Sequence, residues 1–177
     1  MTWEWWLVIG IRFLVPLTIL RWKLLGSVLA ILADNFDVVI LDNLGIKDYA
    51  FYNPMDKFMD TYFYLIQGYT VLSWKNDFAK KIASGLLAYR LVGTVVYEFV
   101  QKRWLLMVFP NVFIYFYMYY LISNKFLKRD PYKVKWELFV GLGVMTLVKL
   151  WHEYMLHVVQ FPIYDWMKSH VLIYLGL

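Results

Sequence analysis

Apolar residues lie along this chain in long stretches that are separated by short polar segments. Six stretches are each about 20 residues long, the length that a helix needs to cross the roughly 30 Å hydrocarbon core of a bilayer. They cover residues 3–20, 24–41, 55–74, 82–100, 105–123 and 134–158. Tryptophans near the ends of these stretches, such as Trp22, Trp74 and Trp136, are typical of membrane interfaces. The pattern therefore predicts six membrane-spanning helices.

Composition supports this interpretation and narrows the class of protein. Of the 177 residues, 62% are hydrophobic and 18% are charged, whereas a typical soluble domain is about 45–50% apolar and about 25% charged. A water-soluble fold, intrinsic disorder and a coiled coil are excluded on this basis. We expect an all-α integral membrane protein, a six-helix bundle with short loops that forms one domain over residues 1–177. The mixed polar and apolar segment 161–177 is predicted to lie at the membrane interface.

The basic residues indicate an orientation rather than a nucleic-acid partner. The net charge is +5, but the Lys and Arg residues lie in short loops between apolar stretches. The first, third and fifth loops contain ten of them, and the opposite side contains five. The positive-inside rule then places the N-terminus outside and the odd-numbered loops in the cytoplasm. We expect a multi-pass protein of a prokaryotic cytoplasmic membrane that binds membrane lipids, with a homodimer left open.

Ionisable residues inside the apolar stretches are the main functional signal, because each costs about 2.5–3.5 kcal/mol at the bilayer centre on insertion scales. Alternating helix direction brings most of them to one half of the membrane, which predicts a polar cavity there. The candidate residues are Asp34, Asp37, Asp42, Asp56, Lys57, Asp60, Arg90, Glu98, Asn111, His152, Glu153 and His157. For the cations inside the stretches, Arg12, Arg90 and Lys149, simple pairing with acids between helices is an equally good explanation.

The spacing of four aspartates favours a metal site. Asp34 and Asp37 are three residues apart, and Asp56 and Asp60 are four apart, so each pair lies on one helical face. Four carboxylates that face each other in a low dielectric repel strongly and require shared protons or cations. Mg²⁺ and Mn²⁺ prefer oxygen ligands, and metal pairs are common in phosphoryl chemistry. Mg²⁺ or Mn²⁺ is therefore the expected cofactor.

The same aspartates resemble the signature of the membrane CDP-alcohol phosphatidyltransferases. In that family, D-x-x-D at the end of the second helix is followed by D-x-x-x-D at the start of the third. The segments 34–37 and 56–60 match these two elements, while Val38 and Tyr52 stand where the family has glycines, and Leu41-Asp42 where it has Ala-Arg. The resemblance covers about 27 residues of motif and the six-helix architecture.

This resemblance implies a role for each of the four aspartates. By position, Asp34, Asp37 and Asp56 would hold two divalent metals, and Asp60 would be the general base for an acceptor hydroxyl. The reaction implied is phosphoryl or substituted-phosphoryl transfer on a phosphate-bearing lipid. Arg90 would then bind phosphate, since a guanidinium contacts two of its oxygens.

The last apolar stretch contains a second group of polar residues. Lys149, Glu153 and His157 recur every four residues and form one stripe, and His152 is adjacent. The order H-E-x-x-x-H differs from the H-E-x-x-H of zinc proteases, which argues against that class. The stripe either completes a metal site or relays protons, or it is an ion pair with a hydrogen-bonded histidine. Asn111 after Pro110 either marks a helix break or binds a ligand.

Two other functions remain open at this stage. A proton- or cation-coupled transporter also requires carboxylates and histidines in a cavity. A non-catalytic membrane subunit would use the same charges to hold helices together, with every charge paired and no cavity.

Overall fold

The computed structural model describes residues 3–43, 52–102, 105, 108–126 and 135–157. All the regular structure within these residues is helical, which confirms the all-α prediction for this part of the chain. The long helices are α1 (Trp3–Leu17), α2 (Lys23–Asn43), α3 (Tyr52–Val71), α4 (Asp77–Val100), α5 (Val112–Phe126) and α6 (Lys135–His157). The predicted interfacial segment 161–177 lies outside the described residues.

The helix ends follow local sequence signals. The side chain of Asn76 accepts the backbone N–H groups of Phe78 and Ala79, so α4 begins at Asp77 rather than at the predicted residue 82. At the other end, Gln101 adopts a left-handed conformation (φ 53°), and its N–H bonds the carbonyl of Tyr97. A residue in the left-handed conformation directly after the last turn is a common way for an α-helix to end.

The fifth long helix begins later than its apolar stretch predicts. The prediction started at residue 105, whereas α5 starts at Val112 after a break at residues 109–111. Pro110 has no N–H to donate to a preceding turn, so a helix cannot run through it without losing a bond. The Oδ1 atom of Asn111 lies 3.5 Å from the N–H of Ile114 and takes up one of the free donors of the new helix.

The first two helices form a tight hairpin. A short 3₁₀ helix (Thr18–Leu20) follows α1 and brings the chain directly against the start of α2. A Cβ atom on Gly26 would lie 2.5 Å from the backbone nitrogen of Ile19, so only glycine permits this approach. Helix α3 packs against this hairpin, with the ring of Tyr62 stacked on that of Phe13 at 4.7 Å.

The core lies where α5 packs against α2 and α4. Phe113, Phe116 and Tyr117 of α5 are fully buried, and Trp74 stacks on Tyr120 with ring centroids 3.7 Å apart. Helix α6 packs against α5 and leaves most of its other large apolar side chains exposed. The core is thus centred on one aromatic helix, and the outer helices bury only one face.

Within the described residues, α4 is the one helix long and apolar enough to cross a membrane. Two shorter apolar segments, Trp5–Leu20 and Phe139–Trp151, fall below that length. Charged residues lower the hydropathy of α3, and α5 has only 15 residues. The six-span membrane bundle therefore remains a prediction.

Candidate functional site

A single buried arginine contacts all four aspartates of the predicted metal site. The Nη1 atom of Arg12 bonds Asp37 and lies 2.6 Å from Asp56 Oδ1. Its Nη2 atom lies 2.5 Å from Asp34 Oδ1 and 2.9 Å from Asp60 Oδ1. Arg12 and Asp37 are only 5% and 1% exposed, so the centre of this network is inside the protein. The network joins α1, α2 and α3.

Helical spacing explains how three elements meet at one guanidinium. Asp34 and Asp37 lie one turn apart on α2, and Asp56 and Asp60 lie one turn apart in the first half of α3. One further turn along α3, the hydroxyl of Tyr64 donates to Asp60 Oδ2 at 3.0 Å. Each helix therefore presents a polar stripe toward the same point on α1.

The network carries more negative charge than Arg12 can neutralise. Four carboxylates surround one guanidinium, which has one positive charge and five N–H donors. Oxygen atoms of Asp34, Asp56 and Asp60 lie within 4.8 Å of one another, close enough to share a metal ion. Asp37 is buried against Arg12 and does not belong to this group of three. The geometry thus groups Asp60, rather than Asp37, with the other two predicted ligands.

The three grouped carboxylates line a cavity of about 830 Å³. Arg90, Asn111 and Lys149 contribute to the same cavity from α4, the break before α5, and α6. The other side chains are mainly apolar or aromatic: Ile31, Phe63, Tyr64, Ile114, Tyr115, Met118, Tyr119, Ile122 and Met145, with Asn35 also present. The cavity therefore combines an acidic group, two cations and a long apolar surface.

The side chain of Arg90 is hydrogen-bonded to the backbone through one nitrogen, and a second N–H group of it lacks a partner in the described part of the structure. Its Nη1 atom donates to the carbonyl of Phe109 at 2.8 Å, in the break before α5. Its Nε atom is buried and has no hydrogen-bond partner among the described residues. Burying an N–H without a partner costs about 1–3 kcal/mol, so this atom favours an acceptor that enters the cavity.

Lys149 and Asn111 occupy defined positions in the same cavity. The ammonium group of Lys149 lies 5.9 Å from the ring centroid of Tyr115, within the range of a cation–π contact. Asn111 is 5% exposed, and its side-chain oxygen faces the first turn of α5. The structure thus gives Asn111 a helix-capping role at the break, next to the cavity.

Two candidate residues lie away from the cavity. The Nζ atom of Lys57 lies 3.4 Å from Glu98 Oε1 and 4.0 Å from the ring centroid of Tyr97. These contacts join α3 to α4, and neither Lys57 nor Glu98 lines the cavity. The side chains of four further candidates fall outside the described part of the structure: Asp42, His152, Glu153 and His157.

The sequence did not identify Arg12 as part of the site. Pairing with acids of other helices was one of two equally good explanations for Arg12, and the structure shows such pairing, with partners 22 to 48 residues away along the chain. Pairing over such distances depends on how helices pack, which the spacing within one helix does not reveal. Tyr64 had a signal that could have found it, because Asp56, Asp60 and Tyr64 recur every four residues.

Comparison of the chain with known protein families, with curated proteins and with solved structures gives no match. The resemblance to the CDP-alcohol phosphatidyltransferases therefore remains a prediction from the two aspartate motifs.

Proposed function

We propose that this protein is a multi-pass membrane enzyme that transfers a phosphoryl or substituted-phosphoryl group on a phosphate-bearing lipid, using Mg²⁺ or Mn²⁺. One observation carries the proposal: a single cavity contains three grouped carboxylates, an arginine, a lysine and a long apolar surface. A lipid with a metal-bound phosphate would use all of these groups: the carboxylates for the metal, the cations for the phosphate and the apolar surface for the acyl chain.

The outer surface supports a membrane location. Only 11% of the most apolar 18-residue window of α4 is buried within the protein. Large side chains such as Phe99 and Trp136 are 86% and 73% exposed. Soluble proteins rarely expose continuous apolar patches of more than a few hundred Å², whereas lipid solvates such a surface.

The shape of the cavity supports an amphiphilic substrate. Ile114, Met118 and Ile122 recur every four residues on α5, so they form an apolar stripe about 12 Å long. Met145 of α6 lies on the same cavity. This stripe fits part of an acyl chain, while the charged groups fit a phosphate.

The carboxylate group fits a divalent cation. Asp34 and Asp56 would offer oxygen atoms to the cation, and Asp60, which has an oxygen within 4.8 Å of theirs, would act beside it as the base. The charge of the three carboxylates exceeds that of Arg12. Hard cations such as Mg²⁺ take ligands of this type. When bound, the metal would neutralise the charge on the transferred phosphate group.

The side chains of the protein would perform the remaining tasks. Arg90 would bind phosphate oxygens through its unpartnered Nε–H and so orient the group. As the acceptor hydroxyl oxygen bonds to phosphorus, its proton would pass to Asp60, and the substituent displaced from phosphorus would leave with the bonding electrons. The hydroxyl of Tyr64 fixes Asp60, and Arg12 of α1 holds the two helices that carry the aspartates, α2 and α3.

Turnover of a phosphate-bearing lipid by the purified protein tests this proposal. Asp60→Asn removes the base and should reduce turnover by about 100-fold or more, since general bases contribute about 10²–10⁴-fold. Asp77→Asn is the matched control, because Asp77 is exposed, lies on the opposite half of the bundle and, among the described residues, pairs only with Lys80. Loss of turnover in both variants, or in neither, would contradict the role of Asp60.

The Arg12 network favours one alternative, a non-catalytic membrane subunit whose charges join helices. All four aspartates contact Arg12, as structural pairing requires. Against this alternative, a subunit of that kind needs no cavity, and three of the carboxylates line a large one. A protein without turnover whose stability is indifferent to divalent cations would favour the alternative.

A further inference from the structure

We propose that a second site, at the end of the bundle opposite the aspartates, binds the phosphate group of an anionic glycerophospholipid. The site lies between the start of α2, the α3–α4 turn and the end of α5. The proposal relies on the membrane location argued above but not on catalysis.

Two adjoining cavities of about 440 and 400 Å³ form this site. Both are lined by Lys23, Leu121 and Asn124, so they lie on either side of the same three residues. Lys125 lines the first and Lys75 the second. We call this region the lysine groove.

The charged side chains that the structure describes along the lysine groove are all positive. Three lysines line it, and no Asp or Glu among the described residues does so. The ammonium group of Lys23 donates to Ser73 Oγ at 2.6 Å, which holds it in the groove with its charge uncompensated there. A clustered positive potential of this kind attracts an anion.

Trp74 supplies an independent indication of a ligand. Its side chain lines the groove and is held by stacking on Tyr120, yet it is only 5% exposed. Its Nε1–H is buried and has no hydrogen-bond partner among the described residues. A buried indole N–H usually has a partner, so an acceptor atom in the groove would complete it.

The other walls indicate that the anion belongs to a lipid. Trp22, Leu24 and Leu25 line the groove beside the lysines, and Trp22 and Leu25 are more than half exposed. An indole and two leucines next to three lysines match the boundary between headgroup and acyl chain. The end of the bundle that carries the groove is also the one that the Lys and Arg distribution places in the cytoplasm, where the leaflet is rich in anionic lipids.

The lysine groove is separate from the aspartate site. Lys23 and Asp34 are 11 residues apart on α2, which corresponds to about 16 Å along the helix. On α3, Asp60 lies near the middle of the helix, whereas Ser73 and Trp74 follow its end. A ligand of the groove therefore does not compete with one in the acidic cavity.

Thermal unfolding of the purified protein in neutral detergent, titrated with phosphatidylglycerol, tests the proposal. A ligand that binds only the native state raises the melting temperature by mass action. Phosphatidylglycerol should raise it, whereas phosphatidylcholine and inorganic phosphate at millimolar concentration should not. An equal shift with phosphatidylcholine would overturn the assignment of an anionic lipid, and an equal shift with inorganic phosphate would overturn the assignment of a lipid.

Charge-matched variants locate the effect. Lys23→Gln with Lys125→Gln should weaken the apparent affinity for phosphatidylglycerol by about tenfold or more, because each lysine near a membrane surface contributes about fivefold. Lys80→Gln with Lys81→Gln removes the same charge from the same end of the bundle but outside the groove, and should retain the affinity. An equal loss in both double variants would overturn the proposal.

Trp74→Phe gives a test that does not change charge. It keeps an aromatic ring to stack on Tyr120 and removes the unpartnered N–H together with the second ring of the indole. The melting temperature without lipid should fall, because a smaller ring leaves space in the core, and the affinity of the folded protein for phosphatidylglycerol should fall at least threefold. Unchanged affinity in this variant would overturn the role of the indole N–H.

Discussion

At the scale of single residues, Arg12 is the most consequential side chain in the structure. It is buried on α1, and its two terminal nitrogens contact four carboxylates from α2 and α3. The cost of burying this guanidinium is offset only because its donors are satisfied by charged acceptors. The same contacts hold the carboxylates together despite their mutual repulsion.

Removing Arg12 should therefore cost more than removing one of its partners. Arg12→Gln leaves four carboxylates without their cation and should lower the free energy of unfolding by about 3–5 kcal/mol. Asp37→Asn leaves Arg12 with three carboxylates and should lower it by about 1–3 kcal/mol. Denaturant unfolding in detergent measures both values.

Adding a divalent cation to the Arg12→Gln variant shows whether the lost stability comes from unbalanced charge or from lost packing. With Arg12 removed, Mn²⁺ should recover part of the lost stability, because it supplies positive charge to Asp34, Asp56 and Asp60. A larger loss for Asp37→Asn than for Arg12→Gln would show that Arg12 is not the centre of the network.

At the scale of elements, the contact of α4 with the break before α5 positions Arg90. Gly93 lies on α4 three residues after Arg90, and a Cβ atom there would lie 2.3 Å from Cβ of Phe109. The carbonyl of Phe109 accepts the hydrogen bond from Arg90. The absence of a side chain at Gly93 thus lets the break approach α4 and fixes the arginine of the cavity.

Two glycines on α4 give a matched comparison of this effect. Gly93→Ala forces Phe109 to move and should destabilise the protein by about 1–3 kcal/mol, as overpacking does. Gly85→Ala lies on the same helix, where a Cβ atom meets nothing within 4 Å, and should stabilise it by up to about 1 kcal/mol. Thermal unfolding distinguishes them, and a stabilising Gly93→Ala would contradict the close approach.

The sequence predicted most of these elements for a physical reason. Hydrophobic periodicity and length determine where long helices lie, and six of them occur in the described residues near the predicted positions. The start of α5 differed because one proline outweighs an apolar run. The convergence of Asp34 with Asp56 and Asp60 followed from alternating helix direction, whereas the contact of Arg12 with them depends on side-chain packing between helices.

At the scale of the whole molecule, the charged site lies on helices that are otherwise largely apolar. Asp56 and Asp60 lower the hydropathy of α3, so two residues of the site also reduce the signal of a membrane span there. The aspartates lie on one half of the bundle and the lysines of the groove on the other, while the apolar part of the cavity runs along α5 as far as Ile122. The proposed orientation places the acidic cavity outside and the groove at the cytoplasmic surface.

Cysteine labelling across α4 tests this orientation. The chain has no cysteine, so a single substitution introduces the only thiol. In intact cells a membrane-impermeant reagent should label Lys102→Cys and should label Lys80→Cys only after permeabilisation, since these residues lie near opposite ends of the helix. The reverse pattern would place the acidic cavity on the cytoplasmic side, and equal labelling of both would contradict a span at α4.

Binding of Mn²⁺ by the purified protein, followed by electron paramagnetic resonance, tests the central claim most directly. The parent should bind Mn²⁺ in the micromolar to millimolar range, and addition of a phosphate-bearing lipid should tighten binding, because both occupy one cavity. Asp34→Asn should weaken binding at least tenfold, while Asp77→Asn, outside the cavity, should leave it unchanged. If the parent binds no Mn²⁺ at millimolar concentration, or if both variants bind it as the parent does, the aspartates are not a metal site and the proposed enzyme is contradicted.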